Sequence, residues 1–441
     1  MQPTLIRCTK QCKRLGSIKS FLSPSFTSIF VLKRSLTSVV KQPSTNVKKK
    51  RKPEFERREE LNVRTIAGFQ DHKDVNQRLH HEIVAYIKSI EATHKERVQR
   101  HLIYETFRNT INETISSYRP KVQLYGSVPT GLELPTTDLD ISVSTSRKSA
   151  DRKEQTRILR KLRFAFREAG LIYKGMIRAH ARVPVMVMTT SNHLGRIGID
   201  ITVNSDDGPR CVKVINQYLK EMPALRPLIL LLKCFLKEKR LNNAATGGLS
   251  SYSLTCMCIS LLQVNPGRRP QEYIDKPMEF ESLGALLTDF MVYYGRDFSY
   301  KNSFISVLQG KVLPKQSIEW LTVHDALAIE CLVRDRNSVA RSTQYVQEIQ
   351  SAFKDAAETL LKLAPDNKTC LGSIVQARHM DSVRRSAITA SIDTSTPTKT
   401  VPKRVKSKYK GVRKPGSLAL SRDRTTPFDS TGRQPVAVLY G

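Results

Sequence analysis

The chain has 441 residues, 39% hydrophobic and 26% charged, which is enough apolar material for two or three domains with a packed core. Lys and Arg number 73 against 40 Asp and Glu, a net charge of +33 that points to a polyanionic partner. The sequence has no 18-residue apolar run, which argues against an α-helical membrane span, and no membrane partner is expected.

Residues 1–53 hold 13 Lys/Arg and no acid; the first acidic residue is Glu54. The Ser-rich, acid-free stretch 1–40 resembles a mitochondrial transit peptide and points to the matrix. The cluster Lys48-Lys49-Lys50-Arg51-Lys52 reads as a nuclear localisation signal or RNA-binding arm, so the nucleus stands as the alternative. None of the eight cysteines has zinc-finger spacing, and Cys234, Cys256 and Cys258 fall in apolar helical stretches, as expected of a reducing compartment.

Residues 75–118 read as helices, with Leu79, Ile83, Tyr86 and Ile87 at helical spacing, and are assigned to pack on a central domain. Over 119–208 the period changes to two. Val122 and Leu124, then Leu139, Ile141 and Val143, alternate as strands; 153–168 is helical, and Val183–Met188 and Ile197–Val203 are strands again. From 209 to 365 the pattern is largely helical, with loops near 242–248, 264–280 and 310–318. The segment 366–441, rich in Ser, Thr and Pro with 15 Lys/Arg against five acids, reads as a basic disordered tail. The expected fold is α+β: a small mixed sheet with helices, packed on a helical domain.

The densest chemistry lies in Gly126-Ser127 followed by Asp138-Leu139-Asp140. In a strand, residues i and i+2 share a face, so Asp138 and Asp140 present two carboxylates together. Two such charges about 4 Å apart repel by roughly 4 kcal/mol at an effective dielectric near 20, and a divalent cation is the usual remedy. Hard oxygen ligands select Mg²⁺ or Mn²⁺. Asp200 stands within the apolar alternating strand Gly198–Val203 and completes a triad if that strand neighbours the first. Three carboxylates holding two ions suit attack by a hydroxyl on a nucleotide α-phosphate. Gly126 permits close backbone approach, and the Ser127 hydroxyl with nearby amides can hold phosphate oxygens. Lys233 and Lys237, four apart on an apolar helix, emerge on one face, where a triphosphate would relieve their repulsion. Gly247-Gly248 allows a tight turn into a helix N-terminus, a place for phosphate or base contact, although a lone Gly-Gly reads first as a plain helix start.

Gly126-Ser127 with Asp138, Asp140 and Asp200 resembles the signature of the DNA polymerase β-like nucleotidyltransferases. Thr246–Tyr252, Arg226-Pro227-Leu228 with Lys233 and Lys237, and Asn337–Ser342 narrow the resemblance. Together they are similar to the template-independent poly(A) polymerases of the TRAMP type, close relatives of the terminal uridylyltransferases. The resemblance covers about 75–362 and implies a palm-type catalytic domain (119–208) on a helical, PAP-associated central domain (209–365), with nucleotide between them. It implies that Asp138, Asp140 and Asp200 bind metal and that Gly126, Ser127, Lys233, Lys237, Gly247, Gly248, Ser251, Tyr252, Asn337 and Arg341 meet the nucleotide, Tyr252 by stacking. It also implies ATP as substrate, RNA 3′ ends as acceptor, and an RNA-binding or helicase partner.

Uridylyl-transferring relatives carry a His where this chain has Asn337, which favours ATP over UTP. The loop from Val323 to Leu332 departs from the acidic, Pro-containing loop of the TRAMP type, so nucleotide choice stays open. The expected activity is polynucleotide adenylyl transfer by two-metal-ion catalysis. The alternatives are uridylyl transfer and an inactive RNA-binding scaffold. The intact triad argues against the scaffold.

Overall fold

A computed structural model describes residues 74–146, 151–321, 326–364, 367 and 369–375. The targeting signals read in 1–53, the start of the Val323–Leu332 loop and most of the basic tail lie outside these residues.

Two helices open the described chain, each set by its cap. Helix α1 (Val75–Ile90) starts where the Asp74 side chain accepts the Asn76 N–H. Helix α2 (His94–Thr114) starts at a full capping box, Thr93 and Glu96 each bonding the other's backbone N–H. The two separate at once. Leu79, Ile83 and Ile87 of α1 join one hydrophobic core, while Ile103, Phe107 and Ile111 of α2 join another. The expectation that 75–118 packs as a unit on the central domain is therefore corrected: the apolar stripe of α2 covers the palm sheet.

That sheet comprises β1 (Lys121–Tyr125), β2 (Leu139–Ser144), β3 (Ile172–Arg178), β4 (Val185–Thr190) and β5 (Gly198–Val203), in the order β1-β2-β5-β4-β3. Only the β2–β5 pair is parallel. Helix α3 (Arg152–Glu168) crosses over between β2 and β3. Alternation decides the faces: Ile141, Met186, Met188, Ile199 and Ile201 are buried on the side of α2 and α3, where Phe107 and Phe166 meet with ring centroids 4.8 Å apart.

The second core gathers α1 with α4 (Asp207–Glu221), α5 (Leu225–Glu238), α6 (Ser251–Val264), the four-residue α7 (Glu272–Asp275), α8 (Leu283–Val292) and α9 (Val346–Leu361). The largely helical expectation for 209–365 misses one feature. A second sheet, ordered β7-β6-β8, is formed by β6 (Ser303–Ser306), β7 (Lys311–Pro314) and β8 (Ala328–Ile329). The expected tail boundary at 366 is also early. Glu82 of α1 accepts from the backbone N–H groups of Cys370 and Leu371 and from the Thr369 hydroxyl, and pairs with Arg78. Cys370, Leu371 and Val375 are buried in the helical core.

Candidate active site

Strand β1 ends at Tyr125, and Gly126 turns the chain at φ 72°, a conformation L side chains avoid. Thr130 ties the turn by donating to the carbonyls of Gly126 and Ser127. A Cβ on Gly126 would lie 2.1 Å from Asp140 Oδ2, so the glycine makes room for that carboxylate. Gly198 does the same for Asp138, whose Oδ1 would be 2.1 Å from a Cβ there. Asp138 precedes β2, while Asp140 and Asp200 are direct partners across the parallel β2–β5 pair.

The three carboxylates sense one another. Burial, then Asp200 and Asp138, push Asp140 up to about 7, with Lys233 pulling it down. Burial and Asp138 push Asp200 up to about 6, opposed by Arg178. Among the described residues no three His, Cys, Asp or Glu side chains are already drawn into a tight ligand cluster. The donors are hard oxygens, their charges call for compensation, and two glycines clear space around them. This set fits Mg²⁺ or Mn²⁺.

Opposite the turn, Lys233 of α5 donates to Ser127 Oγ at 3.2 Å and to the Leu132 carbonyl at 2.6 Å. Burial lowers its pKa to about 8. Lys237, one turn on, donates to Thr136 Oγ1 at 2.9 Å. A cleft of about 1510 Å³ opens between the sheet and the helical core, with Gly126, Ser127, Asp138, Asp140, Lys233, Lys237, Ser251, Tyr252, Asn337 and Arg341 in its wall. The half-buried Tyr252 lies there with its hydroxyl oxygen accepting from Cys211 Sγ at 3.3 Å and the Leu332 N–H at 3.1 Å.

Three expected site residues lie outside that wall. Asp200 stands beside the cleft. Gly247 and Gly248 serve the backbone instead: Gly247, at φ 93°, offers its carbonyl to the N–H groups of Gln344 and Tyr345. A Cβ on Gly248 would lie 2.5 Å from the Leu241 carbonyl oxygen. Close chain packing accounts for both glycines. Arg226 of the matched motif is likewise structural here, pairing with Glu91 at 2.7 Å and donating to the Gly131 carbonyl at 3.1 Å.

Sequence reasoning missed two arginine links. Arg182, just before β4, donates to Asn337 Oδ1 at 2.6 Å, and Arg334 pairs with Asp207 at the start of α4. Arg182, Asn337, Arg334 and Asp207 all line the cleft. The signal available was an arginine in each of two loops, indistinguishable there from other surface arginines.

Comparisons with known proteins agree with this geometry. Residues 79–220 match the family described as poly(A) RNA polymerase, mitochondrial-like, central palm domain, and residues 282–332 match the Cid1 family poly A polymerase. The chain is 34% identical to poly(A) RNA polymerase CID14 of Cryptococcus neoformans var. neoformans over 281 residues, 63% of this chain and 36% of that one. It is 27% identical to poly(A) RNA polymerase protein 1 of Saccharomyces cerevisiae, with 67% and 47% covered. The chain thus spans 36–47% of the length of these curated relatives. Among solved structures, the polymerase core of TRAMP, an RNA surveillance complex, superposes with a TM-score of 0.59 at 25% identity, covering 69% of this chain and 96% of that one. The Cid1 poly(U) polymerase shares the fold, with a TM-score of 0.55 at 22% identity over 66% of this chain and 95% of that one.

Proposed function

We propose, from the premise that the chain belongs to the family of template-independent poly(A) RNA polymerases of the TRAMP type, that it transfers AMP from ATP to the 3′-hydroxyl of RNA. One observation carries the reading: Asp140 and Asp200 are cross-strand partners, Asp138 sits ahead of them, and Ser127 and Lys233 face the same cleft. Divalent ions held by the three aspartates would make the hydroxyl more acidic and offset charge on the triphosphate. Transfer joins the 3′ oxygen to the α-phosphorus and breaks the bond from that phosphorus to its β-bridging oxygen, releasing pyrophosphate. The hydroxyl proton passes to a carboxylate oxygen of Asp200. Lys233, Lys237 and Ser127 bind the triphosphate, and the Tyr252 ring receives the base, a stack worth roughly 1–3 kcal/mol. Asn337 and Arg341 supply polar groups beside it, and RNA choice falls to a separate RNA-binding or helicase partner.

The test is extension of an RNA with each of the four nucleotides in Mg²⁺ or Mn²⁺, beside Asp138→Ala. ATP is expected to be the best substrate, and the variant inert. UTP preference would favour the uridylyl reading; RNA binding without extension would favour the scaffold. For localisation we propose the mitochondrial matrix ahead of the nucleus. Imaging the full chain and one lacking residues 1–40 decides it, and nuclear signal from the full chain would reverse the order.

A further inference from the structure

The register of the palm sheet lines up one residue from each strand: Met176 in β3, Val187 in β4, Asp200 in β5, Asp140 in β2 and Tyr125 in β1. Cross-strand partners share a face. The nucleotide cleft takes one end of this row, since Tyr125 and Asp140 line it and Asp200 does not. The other end is open. Met176 is 56% exposed, and Lys174 and Arg178 on either side of it are exposed too. Both basic residues pair across to β4, Lys174 with Thr189 and Arg178 with Val185, so they share the Asp200 face. The Arg178 charge is felt at Asp200.

An attacking hydroxyl must reach Asp200 from a side the triphosphate leaves free, which here is the β4–β3 half of the face. Two strand spacings of about 4.8 Å put Met176 roughly 10 Å from Asp200, the reach of one or two nucleotides. A cation, an apolar surface and a second cation in succession match phosphate, nucleoside and phosphate of a single strand. We propose that this half-sheet is the acceptor subsite. It holds the last nucleotides of a single-stranded RNA, with Arg178 and Lys174 on its phosphates and Met176 beneath the nucleoside between them. The inference rests on the transferase reading above and adds where the acceptor lies.

The experiment compares the full chain with Lys174→Gln/Arg178→Gln, with Met176→Glu and with Arg163→Gln, an exposed α3 control. Extension is measured with RNA and ATP varied separately, and affinity for a fluorescent oligoadenylate is titrated against salt. The double variant should raise KM for RNA about tenfold or more, as expected for a lost charge-assisted contact, and leave KM for ATP within about twofold. Its log affinity should fall less steeply with log salt, by about 1.4, at roughly 0.7 per lost phosphate contact. Met176→Glu should also raise KM for RNA, and Arg163→Gln should match the parent. A parent that extends RNA beside a double variant with unchanged RNA affinity and salt slope overturns the subsite alone. So does a double variant that loses only kcat, or gains mainly in KM for ATP. A parent that extends no RNA overturns the transferase reading and the subsite with it.

Discussion

Replacing Gly126 with alanine tests whether the turn exists to seat a carboxylate. The new Cβ would stand 2.1 Å from Asp140 Oδ2, where ordinary contact begins at 3.4 Å, so the carboxylate must retreat by more than an ångström. Alanine also pays a left-handed backbone penalty at φ 72°, about 1–2 kcal/mol. Misplacing a reacting group by about 1 Å costs on the order of 10²-fold in rate. A destabilisation of about 1 kcal/mol lowers Tm by only about 2–4 °C in a domain of 150–250 residues. Gly198→Ala separates the two effects: its Cβ would meet Asp138 Oδ1 at the same 2.1 Å, and its φ is not positive. Both variants should lose about 10²-fold in single-turnover AMP transfer, and Gly126→Ala should lose more stability in thermal unfolding. If Gly126→Ala keeps its rate within about fivefold of the parent, the turn does not serve the carboxylate.

Other expectations follow from single contacts. Burial lowers Lys233 to about 8, so its charge is lost as pH rises through that value; kcat/KM for ATP should fall above pH 8, and Lys233→Arg, which stays charged, should flatten the profile in a pH series. Asp200→Asn should lower extension by at least about 10³-fold while isothermal titration still detects ATP; near-parental extension would remove Asp200 from the proton path. Glu82→Ala removes the carboxylate paired with the buried Arg78 and unfastens 369–375, at a cost of about 3–5 kcal/mol in urea unfolding; a loss under about 1 kcal/mol would contradict the lock. Deleting 376–441 should preserve the unfolding midpoint, weaken RNA binding and reduce its salt dependence, whereas ending the chain before 369 should destabilise the fold. An unshifted salt slope after the shorter deletion would clear the basic tail of RNA contact.

The three aspartates of the candidate site stand out in the sequence because their pattern is local: an i, i+2 acid pair and an acid inside an apolar alternating run are visible wherever they occur. The long helices are legible too, several by an apolar stripe, α5 and α6 by a continuous apolar run, and some by a visible cap. Strand β3 was not, since Lys174, Met176 and Arg178 leave half of it polar or exposed and a bulge between Ile172 and Lys174 breaks its alternation. Strands β6, β7 and β8, of four, four and two residues, are shorter than the periodicity that would reveal them. The two meanings of Gly-Gly at 247–248 differ only in which backbone arrives from elsewhere. Ordering of 369–375 depended on Glu82, nearly three hundred positions earlier. In these last two cases the missing information was which other segment of the chain packs there.

Parallel pairing of β2 with β5 brings Asp140 beside Asp200 across an intervening helix and hairpin. No short local unit can make that contact, and distant pairings of this kind form slowly because the loop must close first. During synthesis the basic first fifty residues leave the ribosome long before Asp200, Lys233 and Arg341 exist. A stalled or truncated product would carry positive charge attractive to RNA and have no working centre. The proposed site is assembled only once β5 has paired with β2.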